Sequence, residues 1–123
     1  MDITTKKILI VDDSKTMFRI NDNICKQVGI VDIDWAYNGL EALELIKVKK
    51  YDLILSDINM SLCNGFELVQ SIRQSGNKVG IFMITTEGGR DEVVKALRMG
   101  ANNYLVKPID TEVLKSKIVD FFK

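Results

Sequence analysis

Residues 6–14 read K-K-I-L-I-V-D-D-S, a short apolar run that ends in two aspartates. A near-continuous run of branched apolar residues is typical of a parallel strand that is covered by helices on both faces. Ser14 stands where an N-cap residue would begin the following helix. This stretch therefore predicts a buried strand that brings Asp12 and Asp13 to one edge of a sheet.

A short apolar run that ends in a polar residue recurs at three later places in the chain. The runs are L-I-L-S before Asp57, I-F-M-I before Thr85 and Y-L-V before Lys107. The predicted strands are residues 6–11, 32–36, 51–56, 79–84 and 103–106. Helix-capping residues follow four of them, and these are Ser14, Asn38, Asn64 and Thr111. Five strands that alternate with five helices predict an α/β fold with a doubly wound, five-stranded parallel sheet.

The composition is that of one domain without a strongly charged surface. The chain has 123 residues, 46% of them hydrophobic, and its 17 basic and 17 acidic residues give a formal net charge of zero. We therefore expect a single domain over residues 1–123, with no output domain and no attraction to DNA. The N-terminus lacks the apolar core of a signal peptide, and no apolar run approaches the ~18 residues of a membrane span. These features predict a monomeric, cytoplasmic protein that does not insert into a membrane.

Ligands of doubly wound sheets bind beyond the carboxyl ends of the strands, which is where the polar strand-end residues stand. Asp12, Asp13 and Asp57 offer the hard oxygen ligands that suit Mg²⁺. Asp57 is also the candidate nucleophile for a phosphoryl group, which Thr85 and Lys107 would bind. Taken separately, the aspartate pair reads as a solvated turn and Thr85 as an ordinary strand-end residue. Their combination at matching strand ends favours the phosphoryl site.

Together these segments resemble the response-regulator receiver domains, and among them the chemotaxis CheY type. The matching segments are V-D-D-S at 11–14, S-D-I-N-M at 56–60, Gly65, T-T-E-G-G at 85–89 and G-A-N-N-Y-L-V-K-P at 100–108. The resemblance covers essentially the whole chain. It implies a flavodoxin-like fold with the strand order 2-1-3-4-5.

The resemblance implies a role for each strand-end residue. Asp57 would be the phosphoacceptor, and Asp13 and Asp57 would ligate Mg²⁺. Asp12 would join them, often through water, and Asn59 would contribute its backbone carbonyl. Thr85 and Lys107 would bind the phosphoryl group, and the bond from Lys107 to Pro108 would be cis, which geometry alone does not require.

Two further positions of the family concern switching and phosphate lifetime. Tyr104 resembles the switch aromatic, which moves inward as Thr85 moves toward the phosphate. Asn59 and Glu87 lie two residues after the acceptor and two after the threonine, where the family tunes dephosphorylation. This pair is similar to that of chemotaxis regulators with short-lived phosphates.

The implied function is that of a single-domain response regulator. A histidine kinase would phosphorylate it, a phosphatase would be a further partner, and the chain would catalyse only its own phosphorylation and dephosphorylation rather than act as an enzyme on other substrates. The fourth helix, fifth strand and fifth helix, about residues 91–122, would then bind a partner, the flagellar motor switch. A phosphorelay intermediate or phosphate sink is the alternative within this class.

Two rival functions belong to other classes. A haloacid-dehalogenase-type phosphatase also forms an aspartyl phosphate, but it needs a second acid two residues after the nucleophile, where this chain has Asn59. A flavodoxin-like FMN carrier needs a hydroxyl- and glycine-rich phosphate loop after the first strand, where Asp12 and Asp13 would repel a phosphate.

The chain departs from the family pattern at several positions. Ser61 replaces a proline, so we expect a looser loop after the third strand, and Cys63 replaces a common methionine. Thr86 replaces a small residue and is expected to narrow access to Asp57. Ile58 stands where a tryptophan is common. Since Trp35 falls on an outer strand, its fluorescence is expected to report poorly on the site.

Overall fold

The computed structural model describes residues 2–86 and 88–123, so the predicted tuning residue Glu87 lies outside the described residues. Within this part of the chain, a short 3-10 helix (Ile3–Thr5) precedes five strands that alternate with five α-helices. The strands are β1 (Lys7–Val11), β2 (Asp32–Ala36), β3 (Leu53–Ser56), β4 (Gly80–Thr85) and β5 (Asn103–Val106). The helices are α1 (Lys15–Gln27), α2 (Gly39–Val48), α3 (Gly65–Gln74), α4 (Arg90–Met99) and α5 (Thr111–Phe121).

All neighbouring strands pair in parallel, in the order β2-β1-β3-β4-β5. This confirms the predicted α/β fold and its strand order. β1, β3 and β4 lie in the middle of the sheet, so their side chains are covered on both faces, which explains their continuous apolar runs. The strand bounds agree with the sequence interpretation to within two residues, and β4 ends at Thr85 rather than at Ile84.

Polar side chains cap the N-termini of α1, α2, α3 and α5. Ser14, Asn38 and Asn64 accept hydrogen bonds from backbone amides three residues further on, as their sequence positions predict. The predicted cap of the last helix, Thr111, is wrong because the preceding Asp110 takes that place. The Asp110 carboxylate accepts from the amides of Glu112 and Val113, and its negative charge also suits the positive end of the helix dipole.

The core has two layers, one on each face of the sheet. One contains apolar residues of α2, α3 and α4, and the other contains those of α1 and α5. Phe122 is buried, and Phe121 packs edge-on against Phe82 with 5.6 Å between ring centroids, so the end of α5 is anchored to the sheet. Among the described residues, no helix is long and apolar enough to cross a bilayer.

Candidate functional site

Three carboxylates meet at the carboxyl edge of the sheet. Asp12 and Asp13 follow β1, and Asp57 follows β3. Because β1 and β3 are neighbours with Val11 opposite Ser56, the next residues of both strands leave the sheet side by side. One carboxylate oxygen from each aspartate lies within 4.8 Å of those of the other two. This acidic cluster (Asp12, Asp13 and Asp57) supplies the hard oxygen donors that suit Mg²⁺.

Backbone hydrogen bonds fix two of the acids. The Asp57 amide donates to the Val11 carbonyl at 3.0 Å, and the Asp12 amide donates to the Ala36 carbonyl at 3.0 Å. The Asp57 Oδ1 atom accepts from the Ile58 amide at 2.7 Å, and the Asp12 Oδ1 atom accepts from the Ser14 amide at 2.9 Å. One oxygen of each carboxylate is thereby oriented by the chain that follows it.

Lys107 approaches the other oxygen of both carboxylates. Its Nζ atom lies 3.2 Å from Asp12 Oδ2 and 3.3 Å from Asp57 Oδ2. All three side chains are largely buried: Lys107 is 13% exposed, Asp12 3% and Asp57 11%. Two carboxylates ~4 Å apart repel by about 4 kcal/mol at an effective dielectric constant near 20. The Lys107 ammonium group offsets part of this repulsion. It also stands where it could bind a negatively charged phosphoryl group.

The β4–β5 edge of the sheet positions Lys107. Its backbone amide donates to the Thr85 carbonyl at 2.8 Å, so the chain continues alongside β4 for one residue beyond β5. The Lys107–Pro108 peptide bond is cis. The side chain therefore starts beside Thr85 and reaches the acidic cluster across the carboxyl end of β4.

Burial raises the pKa of the Asp12 carboxyl above its ordinary value. The Asp57 charge raises the pKa of Asp12 further, whereas the hydrogen bond from Ser14 and the charge of Lys107 lower it. Since loss of water is the largest of these effects, ionised Asp12 costs stability in the absence of a metal ion.

The stability gained by Asp12→Asn should therefore depend on pH. Below the unfolded-state pKa, about 3.9, the carboxyl is protonated in both states and ionisation costs nothing. As the pH rises through the higher native pKa, the folded state carries the full cost. We expect the free energy of unfolding of Asp12→Asn, relative to the unmodified protein, to grow across this interval and then level off. Urea unfolding in chelator across pH tests this, and an advantage that is constant or shrinks with pH would contradict it.

Thr85 and Tyr104 lie on the same face of neighbouring strands. β4 and β5 pair with Met83 opposite Tyr104 and Thr85 opposite Val106. Because alternate residues of a strand point to the same face, Thr85 and Tyr104 share a face two residues apart. Thr85 is fully buried and Tyr104 is half-buried against the core. The sheet thus brings together the two residues named for the switch.

The loop after Asp57 is attached to the start of α2. Its residues Leu62 and Cys63 have φ angles of 49° and 72°, which are uncommon for residues with side chains. In this conformation their carbonyls accept from the Leu40 and Gly39 amides at 3.3 and 3.2 Å. The segment that contains Ser61 is therefore bonded to a neighbouring helix. Asn59, in the same loop, is exposed.

Gly65 occupies a place where a side chain does not fit. A Cβ atom there would lie 2.4 Å from the Asp57 carbonyl oxygen and 2.8 Å from the Ile58 Cα atom. Both neighbours are backbone atoms of the segment that carries the Asp57 carboxylate. The Gly65 amide also donates to the Ile58 carbonyl at 2.9 Å, which keeps the two segments close.

Gly65→Ala should therefore destabilise the protein by about 3 kcal/mol, the upper range for overpacking, because backbone has to move. Gly89→Ala is the control, since the nearest atom to its Cβ is the flexible Glu92 carboxylate. Urea unfolding compares both variants with the unmodified protein. Equal stability of the two variants would contradict the close approach at Gly65.

Trp35 is a residue of the site that the sequence interpretation missed. It lies on the outer strand β2, as predicted, but its indole Nε1 atom donates to the Asp12 carbonyl at 2.8 Å. Trp35 therefore contacts the site although it lies on an outer strand. The strand order contained the signal, because β2 neighbours β1 and Trp35 pairs with Ile10, two residues before Asp12.

Comparisons with known proteins agree with this geometry. The family described as the response regulator receiver domain matches residues 8–119. A CheY homolog, a chemotaxis protein of Campylobacter jejuni, is 44% identical over 117 residues, which cover 93% of this chain and 90% of the relative. The chemotaxis protein CheY1 of Helicobacter pylori is 43% identical over 115 residues, covering 91% of this chain and 93% of that protein.

The fold is also that of solved structures of related proteins. A two-component response regulator from Clostridium difficile superposes with a TM-score of 0.90 at 33% identity, with 96% of each chain covered. The chain therefore belongs to the response regulator receiver domain family, and it is closely related to the CheY chemotaxis proteins.

Proposed function

We propose that this protein is a CheY-type regulator of chemotaxis that accepts a phosphoryl group on Asp57 in the presence of Mg²⁺. The observation that carries the proposal is the position of Lys107, whose ammonium group contacts both Asp12 and Asp57 in a cluster that includes a third carboxylate. A nucleophilic carboxylate, a cation and a set of oxygen ligands are the groups that transfer to an aspartate requires.

The acidic cluster fits Mg²⁺, which prefers oxygen ligands and retains several waters. Asp13 and Asp57 would hold the ion, with the Asn59 backbone carbonyl as a further ligand and Asp12 acting directly or through water. When bound, Mg²⁺ would neutralise charge on the oxygens of the transferring group.

Asp57, Lys107 and Thr85 would each have a separate role in the phosphoryl transfer. One Asp57 oxygen attacks phosphorus, while the bond from phosphorus to the histidine nitrogen of the kinase breaks. Lys107 moves its hydrogen bonds from the carboxylates to a phosphoryl oxygen, and the Thr85 hydroxyl donates to another. Hydrolysis of the new bond returns the carboxylate, so the chain acts only on its own phosphoryl group. Asn59 and Glu87 would leave room for the attacking water, and a phosphate half-life of hours would contradict this role.

The phosphorylated form would signal through the surface of α4, β5 and α5. Exposed apolar residues on these elements, Val94, Leu97, Val106 and Val113, support a protein partner there. A hundredfold shift toward an active form requires about 2.7 kcal/mol of differential stabilisation. Charge-assisted hydrogen bonds from Thr85 and Lys107 to a dianion are of sufficient strength. The partner would be a flagellar switch protein. The regulator would bind it as a monomer in the cytoplasm.

The test is a binding titration with a segment of a flagellar switch protein, with and without phosphorylation. We expect phosphorylation to tighten binding at least tenfold, and Asp57→Asn to bind equally weakly under both conditions. If phosphorylation leaves binding unchanged while a histidine phosphotransfer domain rapidly takes back the phosphoryl group, the chain is a relay intermediate or phosphate sink instead.

A further inference from the structure

The Trp35 indole bonds to the peptide that joins two members of the acidic cluster. Its Nε1 atom donates to the Asp12 carbonyl at 2.8 Å, and that carbonyl belongs to the Asp12–Asp13 peptide. On the other side of the same residue, the Asp12 amide donates to the Ala36 carbonyl at 3.0 Å. Strand β2 therefore holds Asp12 by its amide and by its carbonyl, and the side-chain bond determines the plane of the peptide that leads into Asp13.

Two aromatic rings hold the indole in place. Phe18 of α1 stacks on Trp35 with 4.6 Å between centroids and 7° between planes. Tyr37 lies against it with 4.5 Å between centroids and 52° between planes. Aromatic pairs of this kind stabilise a structure beyond the burial of their area. Contacts from α1 and from the residue that follows β2 limit rotation of the ring, so the direction of its N–H group is fixed.

Asp13 is the member of the cluster that depends most on this peptide. Asp12 is buried and Asp57 nearly so, and their carboxylates are oriented by neighbouring amides and by Lys107. Asp13 is exposed, so packing around its side chain constrains it least. The direction in which its carboxylate points therefore follows largely from the backbone that carries it.

We propose that Trp35 is a positioning residue for the metal site: its N–H group fixes the Asp12–Asp13 peptide and so aims Asp13 at the ion shared with Asp57. This inference rests on the proposed Mg²⁺-dependent phosphorylation. Trp35 is also the only tryptophan of the chain, so its emission reports on the peptide that bears two of the metal ligands.

The test compares Mg²⁺ binding by calorimetry in Trp35→Phe and Tyr37→Phe. Trp35→Phe keeps an aromatic ring beside Phe18 but removes the donor, whereas Tyr37→Phe leaves the indole bond unchanged. One hydrogen bond of about 1 kcal/mol corresponds to about fivefold in affinity. We therefore expect Trp35→Phe to bind Mg²⁺ about fivefold more weakly and Tyr37→Phe to bind as the unmodified protein does. The phosphorylation rate of Trp35→Phe should recover at saturating Mg²⁺, because the role of Trp35 concerns binding of the ion and not the transfer itself.

The outcomes separate this inference from the proposed function. If the unmodified protein binds no Mg²⁺, both fail. If it binds Mg²⁺ and Trp35→Phe binds equally well, only the positioning role of Trp35 is overturned. Should Trp35→Phe not fold, the emission of the unmodified protein decides. The inference requires the Trp35 emission to change on Mg²⁺ saturation in the unmodified protein and to stay unchanged in Asp13→Asn. Unchanged emission of the unmodified protein while calorimetry records Mg²⁺ binding would overturn the inference.

Discussion

Asp57→Asn is expected to abolish phosphoryl incorporation while leaving the fold intact. A neutral amide does not attack phosphorus, and in the proposed site Asp12 and Asp13 would hold the metal ion rather than replace the acceptor. The amide oxygen can still accept from the Ile58 amide, which now bonds to Asp57 Oδ1 at 2.7 Å. Removing one negative charge also relieves repulsion, so the metal-free variant should be at least as stable as the unmodified protein.

Transfer of labelled phosphate from a histidine kinase measures this loss. Asp52→Asn is a matched control, because Asp52 immediately precedes β3 and its carboxylate accepts from the Lys7 amide at the opposite end of the sheet. The control should be labelled as the unmodified protein is. Label that persists in Asp57→Asn would mean that another residue accepts the phosphoryl group.

Lys107→Met should reduce both stability and phosphorylation. In the unmodified protein, the Lys107 ammonium group lies 3.2 and 3.3 Å from two largely buried carboxylates. Removing one partner of a buried ion pair costs about 3 kcal/mol, and we expect this loss of unfolding free energy in chelator. Mg²⁺ should restore much of it, because the ion binds only the folded cluster and supplies the missing charge. The phosphorylation rate should fall about a hundredfold, as it does when one stabilising donor is removed from other active sites.

Urea unfolding with and without Mg²⁺ separates the two effects. Lys115→Met provides the control, because Lys115 pairs with Glu112 at 3.5 Å on the surface of α5, where ion pairs contribute little. A loss in Lys107→Met no greater than in this control would contradict a paired ammonium at the site. An unchanged phosphorylation rate would exclude Lys107 from the transfer.

Local sequence patterns predicted the sheet and the residues at its carboxyl edge because both depend on short-range signals. An apolar run forms a strand that helices cover on both faces. The polar residue that ends the run then lies at the edge of the sheet, as Asp57 and Thr85 do. The paired acids and Lys107 meet because parallel strands end together. Predicting these features requires only the alternation of strands and helices along the chain.

The contacts that sequence did not predict depend on side chains from separate elements. The bond from Trp35 to Asp12 requires the relative position of β2 and the loop after β1, and the aromatic contacts that orient the ring. The cap of α5 was assigned one residue late, because Asp110 and Thr111 are both good capping residues and only the backbone decides between them. The left-handed conformation of Leu62 is set by its contact with α2.

The proposed function depends above all on Asp57 accepting one phosphoryl group with the help of a divalent metal ion. The most direct measurement is the intact mass of the protein after incubation with acetyl phosphate, or with a phosphorylated histidine kinase, in Mg²⁺ or in chelator. Two donors are used because Thr86 is expected to narrow the access of small donors to Asp57. We predict one added phosphoryl group that requires Mg²⁺ and maps to Asp57. No addition from either donor, or equal addition in chelator, would contradict the account.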